Sequence, residues 1–492
     1  MVARSGIDEG PAAASIPNLP YRPDRSIVDL LLLAGVVALL SLSNFALEFF
    51  GLPYNSIGGS IVSKIHPATY LFSLALGLAV IANRNPVGYL INLLFRSLGS
   101  VFLLAACILL WVFISRYKND QPASFLIDTL MAAALIVMLF ADAGERTRLS
   151  IARAVHIIMV LNCFLAIVEG LSGWRLFPFV LNGLQQTWEY RATALFGHPL
   201  IGALITGVYA VILITVRDVR GLSQRWRLPI LLLCMVTMPF IGSRTSFTVV
   251  YAVAAAVMGL KALRFLRGGA VSVRMLLAVL VLAPLGVVAV TAMFQMGLFD
   301  NFLNRFIHDK SSAQSRIQLF SLFRDFGLRE FLVGQTSLVL DTNVRWNGLT
   351  EGIENSWVGH LVSYGIVMSA VLWFGIAGWF VDMLRAGGRG AILPLLFVFL
   401  IISTTVGISG KTTMLTIPTV LILALVAGEG ADGLPAMRPD STNDVLSRIG
   451  RGPPPIVAGG ARLPTIKEAR LNGDQPQVRP PGFATTPVTG EA

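Results

Sequence analysis

Charge is scarce in this sequence. Asp, Glu, Lys and Arg make up 13% of its 492 residues, against 55% that are hydrophobic, and the mean hydropathy is +0.72. A water-soluble domain carries about 25% charged residues, so this composition excludes a soluble enzyme. Cysteine is equally sparse: Cys107, Cys163 and Cys234 all fall inside apolar runs, which reads them as small buried hydrophobes and not as a disulfide framework or a metal site. No glycine loop ends in lysine, and no Cys and His ligands cluster at metal spacing, so nothing supports a nucleotide, metal or nucleic-acid site. No short hydrophobic core with a small-residue cleavage site precedes Ile27; residues 1–26 are expected to be a cytoplasmic segment and Ile27 to begin a retained helix. An internal repeat is also lacking, which weighs against a transporter built from duplicated halves.

What the chain has is long apolar runs. In hydrocarbon every backbone N–H and C=O must be satisfied within helices or a closed barrel. Runs such as Ile27–Phe50, Ser150–Leu171, Val273–Met296 and Ser356–Val381 are each about 20 residues or longer, which suits helices and not short alternating strands. The expected fold is all-α, a polytopic transmembrane helical bundle of about twelve helices, over 27–50, 66–83, 98–116, 124–141, 150–171, 200–216, 228–243, 245–263, 273–296, 356–381, 391–407 and 412–428. A very tight hairpin is implied at Gly242-Ser243-Arg244-Thr245, and Pro86 to Phe95 reads as a short interfacial helix. The bundle thus occupies 27–428, with a large periplasmic loop over 298–355 between the ninth and tenth helices. Residues 429–492, rich in Pro, Gly and Arg, are expected to be a disordered cytoplasmic tail.

The formal net charge of +11 acquires meaning from its location. With the N-terminus inside, the inner loops hold Arg84 and Arg96, Arg146 and Arg148, Arg217 to Arg227, Lys261 to Arg274, and Arg385 with Arg389. The short outer loops carry fewer cations, so the positive-inside bias sets both termini in the cytoplasm. Two outer segments, Gly173–Pro199 and Leu298–Asn355, are long, polar and aromatic, and long connections of this kind usually carry function.

Three outer arginines escape the insertion bias: Arg191 in Tyr190-Arg191-Ala192-Thr193, Arg244 in the hairpin, and Arg316 in Ser315-Arg316-Ile317-Gln318. A guanidinium is always charged and its planar fork matches phosphate oxygens, so several converging at the outer membrane face suit a lipid-linked pyrophosphate. The plainer alternative for each is snorkelling to headgroups or pairing with Glu189, Asp300 or Asp309. Glu48, Asp128, His156, Asn162 and Glu169 lie within helices, where such groups commonly face the bundle interior or pair with one another.

The order of these parts resembles the O-antigen polymerase and ligase superfamily: Arg191-Ala-Thr-Ala-Leu-Phe-Gly-His198-Pro199 before a helix, Ser243-Arg244-Thr245 between two helices, a long outer loop with Arg316, then Glu354-Asn355-Ser356-Trp357 leading into Ser363-Tyr364-Gly365. The resemblance covers about residues 150–385. It implies a bacterial inner-membrane glycosyltransferase acting outside the cytoplasm, with an undecaprenyl-pyrophosphate-linked oligosaccharide as donor and no metal, cofactor or nucleotide sugar. It also implies that Arg191, Arg244 and Arg316 handle pyrophosphate, and it allows partners among polysaccharide assembly and export proteins besides membrane lipid. Ligases of the group carry a His-Asn pair where this chain has Glu354-Asn355, and the Glu-Asn form is closer to the exopolysaccharide polymerases.

Transfer of a sugar needs a base for the acceptor hydroxyl and positive charge where the leaving pyrophosphate develops its own. Glu354 is the candidate base and Asn355 could orient a sugar hydroxyl; the alternative for Glu354 is an ordinary carboxylate at a helix N-terminus. His198 is a second candidate base, its alternative a histidine held in the turn before Pro199. The expected function is polymerisation of lipid-linked repeats into exopolysaccharide or capsule. The competing functions are an O-antigen ligase-type transfer and a transporter or flippase for the lipid-linked glycan.

Overall fold

The apolar runs fold as helices in the computed structural model, which describes residues 26–55, 60–118, 124–178, 180–181, 184–185, 191–268, 291, 295, 318–324, 326–349 and 353–426. All of these belong to one unit, Met1–Leu434; a second, Pro435–Ala492, lies outside the described residues. So do Arg316, the expected disordered tail and, apart from residues 291 and 295, the expected helix over 273–296.

In chain order the described helices are α1 (Ser26–Ser41), α2 (Asn44–Phe49), α3 (Pro67–Ile81), α4 (Pro86–Arg96), α5 (Leu98–Tyr117), α6 (Ala132–Asp142, entered through a π-helical turn at Leu126–Met131), α7 (Glu145–Ser172), α8 (Pro199–Thr215), α9 (Gln224–Ile241) and α10 (Arg244–Leu266). After the undescribed stretch come α11 (Leu328–Val333), α12 (Ser337–Trp346), α13 (Ser356–Gly387), α14 (Ile392–Ile402) and α15 (Thr416–Leu425). Four helical stretches are long and apolar enough to cross a membrane: Leu98–Tyr117, Glu145–Ser172, Arg244–Leu266 and Ser356–Ile402. Between α7 and α8, Val180–Leu181 and Leu184–Gln185 form a small antiparallel pair.

Three elements depart from the sequence expectation. The run 27–50 is not one helix: it breaks at Leu42–Ser43, and the Ser43 hydroxyl accepts the Ala46 N–H at 3.2 Å to cap α2. Capping groups of this kind compete with helix continuation. The helix expected over 412–428 starts only at Thr416, so α14 and α15, of 11 and 10 residues, are joined by an irregular stretch over 403–415. The third departure is α13, interrupted at Gly365, whose φ of 70° and ψ of 174° are open to glycine and strained for any other residue. Along a straight helix Trp357 and Trp373 would stand roughly 24 Å apart; their ring centroids are 5.9 Å apart. The first part of α13 therefore doubles back along the second. A side chain at Gly365 would also strike the backbone of Leu332, because the end of α11 crosses there.

The ends of the helices sort into two groups. At one end, Tyr89 donates to Asp142 at 2.6 Å, Arg220 pairs with Glu145 at 2.8 Å, and the Arg220 N–H donates to the Leu425 carbonyl at 2.9 Å. This end carries Arg84, Arg96, Arg146, Arg148, Arg217, Arg225 and Arg227, and is called the basic end below. At the other, the loop end, His66 bonds the Leu42 carbonyl at 2.7 Å, Thr129 bonds the Thr412 carbonyl at 2.9 Å, and Lys118 bonds the carbonyls of Gly334 and Gln335 at 2.8 and 2.6 Å. The centre of the bundle is α15, in which every residue is buried and which touches α1, α6, α7, α8 and α13. Of the polar groups expected to face the bundle interior, Asp128, His156, Asn162 and Glu169 are buried and Glu48 is half-buried.

Candidate functional site

The segment from Arg191 to His198 has little regular structure, so its backbone groups need partners from elsewhere. Glu169, 3% exposed near the end of α7, supplies two of them. One of its carboxylate oxygens accepts the N–H groups of Thr193 and Ala194, both at 2.8 Å, and the Thr193 hydroxyl at 3.3 Å, while the other accepts the Leu176 N–H at 3.1 Å. Asn162 accepts the Leu195 N–H at 3.1 Å, and Ala192 donates to the Phe240 carbonyl at 2.9 Å. Ala194 is held at a φ of 45°, a left-handed conformation that a non-glycine residue adopts only when its surroundings impose it.

This anchored loop delivers Arg191 to the α9–α10 hairpin. Gly242 ends α9 in the left-handed region, at a φ of 70°, and a Cβ there would lie 2.8 Å from Arg191 Cγ and 3.0 Å from its Cδ. Arg191 thus lies across Gly242, two residues before Arg244, which opens α10. The first turn of a helix presents unsatisfied N–H groups and a partial positive charge, so this corner combines two guanidinium-bearing residues with a helix N-terminus, each favouring an anion. The structure brings together Arg191 and Arg244 of the three expected arginines; Arg316 lies outside the described residues.

The other expected site residues are occupied in part by holding the backbone. His198 caps α8: its Nδ1 accepts the Leu200 N–H at 3.2 Å ahead of Pro199. Asn355 caps α13, its Oδ1 accepting the N–H groups of Trp357 and Val358, both at 3.0 Å. Glu354 directly precedes that cap and is half-buried. The capped end is pinned to the 403–415 stretch, where Ser356 donates to the Thr405 carbonyl at 2.9 Å and accepts the Ile408 N–H at 3.1 Å, and the Trp357 ring N–H reaches the Ser403 hydroxyl at 2.8 Å.

A second polar cluster gathers at the loop end around Asp128, which the sequence marks only as a polar group within a helix. Asp128, on the π-helical turn, accepts the Tyr54 hydroxyl at 2.7 Å, the Thr69 hydroxyl at 2.8 Å and the His66 backbone N–H at 3.1 Å. Lys411 donates to the Tyr54 carbonyl at 2.8 Å, with its ammonium 3.3 Å from the centre of the Tyr54 ring. Lys64 donates to the neighbouring Pro53 carbonyl at 2.6 Å. Burial, reinforced by the Lys64 charge and opposed by Asp128 and Glu48, brings the Lys411 amine down to about 8. Burial likewise lowers His66 and, with Asp128 beside it, holds Tyr54 well above the usual phenol range. The available signal was His66-Pro67, the same dipeptide as His198-Pro199, together with a lysine between two apolar runs.

Two hollows flank α2. An outer cleft of about 320 Å³ is lined by Phe45, Glu48, Phe49 and Pro178. An inner cavity of about 20 Å³ is lined by Ser43, Tyr54, His66, Lys411, Thr412 and, from the arginine-bearing loop, Phe196. That loop also meets α2's cap, because Gly197 packs on Ser43. Among the described residues no group of three or more His, Cys, Asp or Glu side chains could hold a metal ion. In comparison with known proteins, no family model matches the chain and no curated protein matches it.

Proposed function

We propose that the protein is a glycosyltransferase of the bacterial inner membrane that joins undecaprenyl-pyrophosphate-linked oligosaccharide repeats into an exopolysaccharide or capsule on the periplasmic face. The observation that carries this reading is Arg191 laid across Gly242 beside Arg244 at the start of α10. As the sugar's anomeric carbon leaves its phosphate oxygen, negative charge grows on the pyrophosphate, and fixed cations that need no reorganisation stabilise it. Orientation follows from the arginines: the basic end faces the cytoplasm with both termini, and the loop end faces the periplasm. There α14 and α15 rise only roughly 15 Å each, about half of a ~30 Å hydrocarbon core. The stretch 403–415 and the folded-back start of α13 pack against each other at the loop end, where irregular backbone that lines a cavity suits a site that admits a polyprenyl carrier from the side. No metal is required in this scheme, because the arginines take the role a divalent cation has in other transferases.

A second reading has one observation in its favour. Asp128, buried on the π-helical turn before α6, and Lys411, half-buried on the irregular stretch between α14 and α15, are charged groups at helix interruptions, a feature of coupled transporters. Cells lacking the protein separate the two. The polymerase reading expects single lipid-linked repeats to accumulate on the outer leaflet; accumulation on the inner leaflet sinks it and favours a flippase. A ligase would instead leave finished polymer on its lipid carrier.

A further inference from the structure

The transfer just proposed needs a group that takes the proton of the acceptor hydroxyl, and the four histidines among the described residues do not supply it. At His66, His156, His198 and His360, Nδ1 bonds the Ala68 N–H, the Tyr209 hydroxyl, the Leu200 N–H and the Trp373 ring N–H, at 3.1, 2.7, 3.2 and 3.3 Å. A neutral imidazole that accepts at Nδ1 carries its proton on Nε2, and at His66, His156 and His360 that proton is directed to a backbone carbonyl. These rings have no lone pair to offer. Asn355 is an amide engaged in capping, and an amide is no base at all.

We infer that Lys411, in its neutral form, is the base that deprotonates the acceptor hydroxyl, which enters the inner cavity beside Tyr54 and His66. The assignment rests on the glycosyl-transfer reading above. Four features carry it. The cavity of about 20 Å³ has room for one water molecule or one hydroxyl group, and Ser43, Tyr54, His66 and Thr412 set polar groups among the apolar side chains that share its wall. Lys411 lines it while spending one N–H on the Tyr54 carbonyl, so a neutral amine keeps its lone pair for another partner. The charged groups around it balance: Asp128 on the π-helical turn and Glu48 on α2 oppose Lys64, and the buried Tyr54 and His66 add no charge of their own near neutrality. Finally, Phe196, five residues after Arg191, brings the arginine-bearing loop to the wall of the same cavity.

The step balances without a further reactant. The Lys411 amine takes the hydroxyl proton and becomes an ammonium; the acceptor oxygen forms a bond to the anomeric carbon; the bond from that carbon to the pyrophosphate oxygen breaks, and its electron pair leaves with the pyrophosphate toward Arg191 and Arg244. The ammonium then returns its proton to water. The neighbouring Tyr54 ring and carbonyl hold the charged form while it lasts.

The experiment uses purified full-length protein in vesicles and, as probe, lipid-linked oligosaccharide extracted from cells that lack it. Elongation by the unsubstituted protein should rise about tenfold between pH 7 and pH 9, as the neutral fraction of an amine titrating near 8 grows. Lys411→Ala should lose about a hundredfold or more in turnover with little change in KM, and small primary amines added to the buffer should restore part of it. Lys411→Arg, which keeps a cation and cannot yield its proton, should be as inactive as the alanine variant. The inference is overturned by an arginine variant that works, by an alanine variant that amines do not rescue, or by a flat pH profile that Glu354→Gln abolishes. Titrating the Lys411 amine itself, by carbon-13 methyl labelling and NMR, needs no substrate. A value in the ordinary lysine range overturns the inference even where turnover is intact, whereas a probe that is never elongated while the amine titrates near 8 defeats the polymerase reading instead.

Discussion

Two buried carboxylates organise the loop end, and they are used differently. Glu169 accepts three backbone N–H groups and one hydroxyl, all on the strand of chain around the arginine-bearing loop, and so fixes a backbone path. Asp128 accepts two hydroxyls and one backbone N–H from residues 54 to 69 and so fixes side chains. Beside each stands a His-Pro cap, His198-Pro199 opening α8 and His66-Pro67 opening α3. The same local device thus serves two ends: near Glu169 it presents arginine across a hairpin, and near Asp128 it walls a polar cavity against lysine. The difference teaches that a buried acid in a bundle need not pair with a cation to be stable; enough donors suffice.

The comparison breaks most sharply at the arginines. Arg244→Ala should abolish polymer formation, a loss of about a hundredfold or more, while the amount of inserted protein stays unchanged; gel profiles of polymer length check it, and an unaltered ladder removes Arg244 from the site. Glu169→Ala comes next. It strands several donors at about 1–3 kcal/mol each, so thermal unfolding of the purified protein should fall by many degrees and activity should vanish although every arginine is retained. A smaller effect is expected at Gly242→Ala, where the added methyl meets Arg191 and the left-handed backbone costs about 1 kcal/mol or more. Turnover should drop there more than stability does. The mildest test is His198→Asn, a substitution that retains a capping acceptor: stability should move by about 0.5 kcal/mol or less, and turnover should stay close to that of the unsubstituted protein if His198 only caps.

Much of the helical architecture was legible in the chain because hydrocarbon leaves few options for an apolar run, and the tight hairpin at Gly242 and the short helix from Pro86 were readable from a glycine and a proline. The breaks were less so. Leu42–Ser43 carries one serine in an apolar stretch, and whether a hydroxyl caps a new helix or bonds back within the old one is settled by packing against Gly197 and His66. The doubling back of α13 depends on Gly365 meeting Leu332, a contact between residues on different elements that no local pattern announces. At the site, Arg191 and Arg244 stood out because the positive-inside bias does not account for cations on outer segments. Asn355 and His198 stood out as catalytic candidates, and the structure adds that both cap helices. Lys411 was hidden because its importance comes from Tyr54, Asp128 and Lys64, which are far from it in sequence.

One feature of the bundle bears on how the protein is made. The helix enclosed on every side, α15, follows all the other described helices in the chain, and its exit is clasped by the Arg220 guanidinium on the Ala424 carbonyl at 2.9 Å. The surrounding described helices therefore emerge from the ribosome before the piece that fills their middle, and they must wait with a vacant slot between them until Thr416–Leu425 follows. A chain stopped short of Thr416 forfeits its keystone, whereas one stopped just after Val426 retains it.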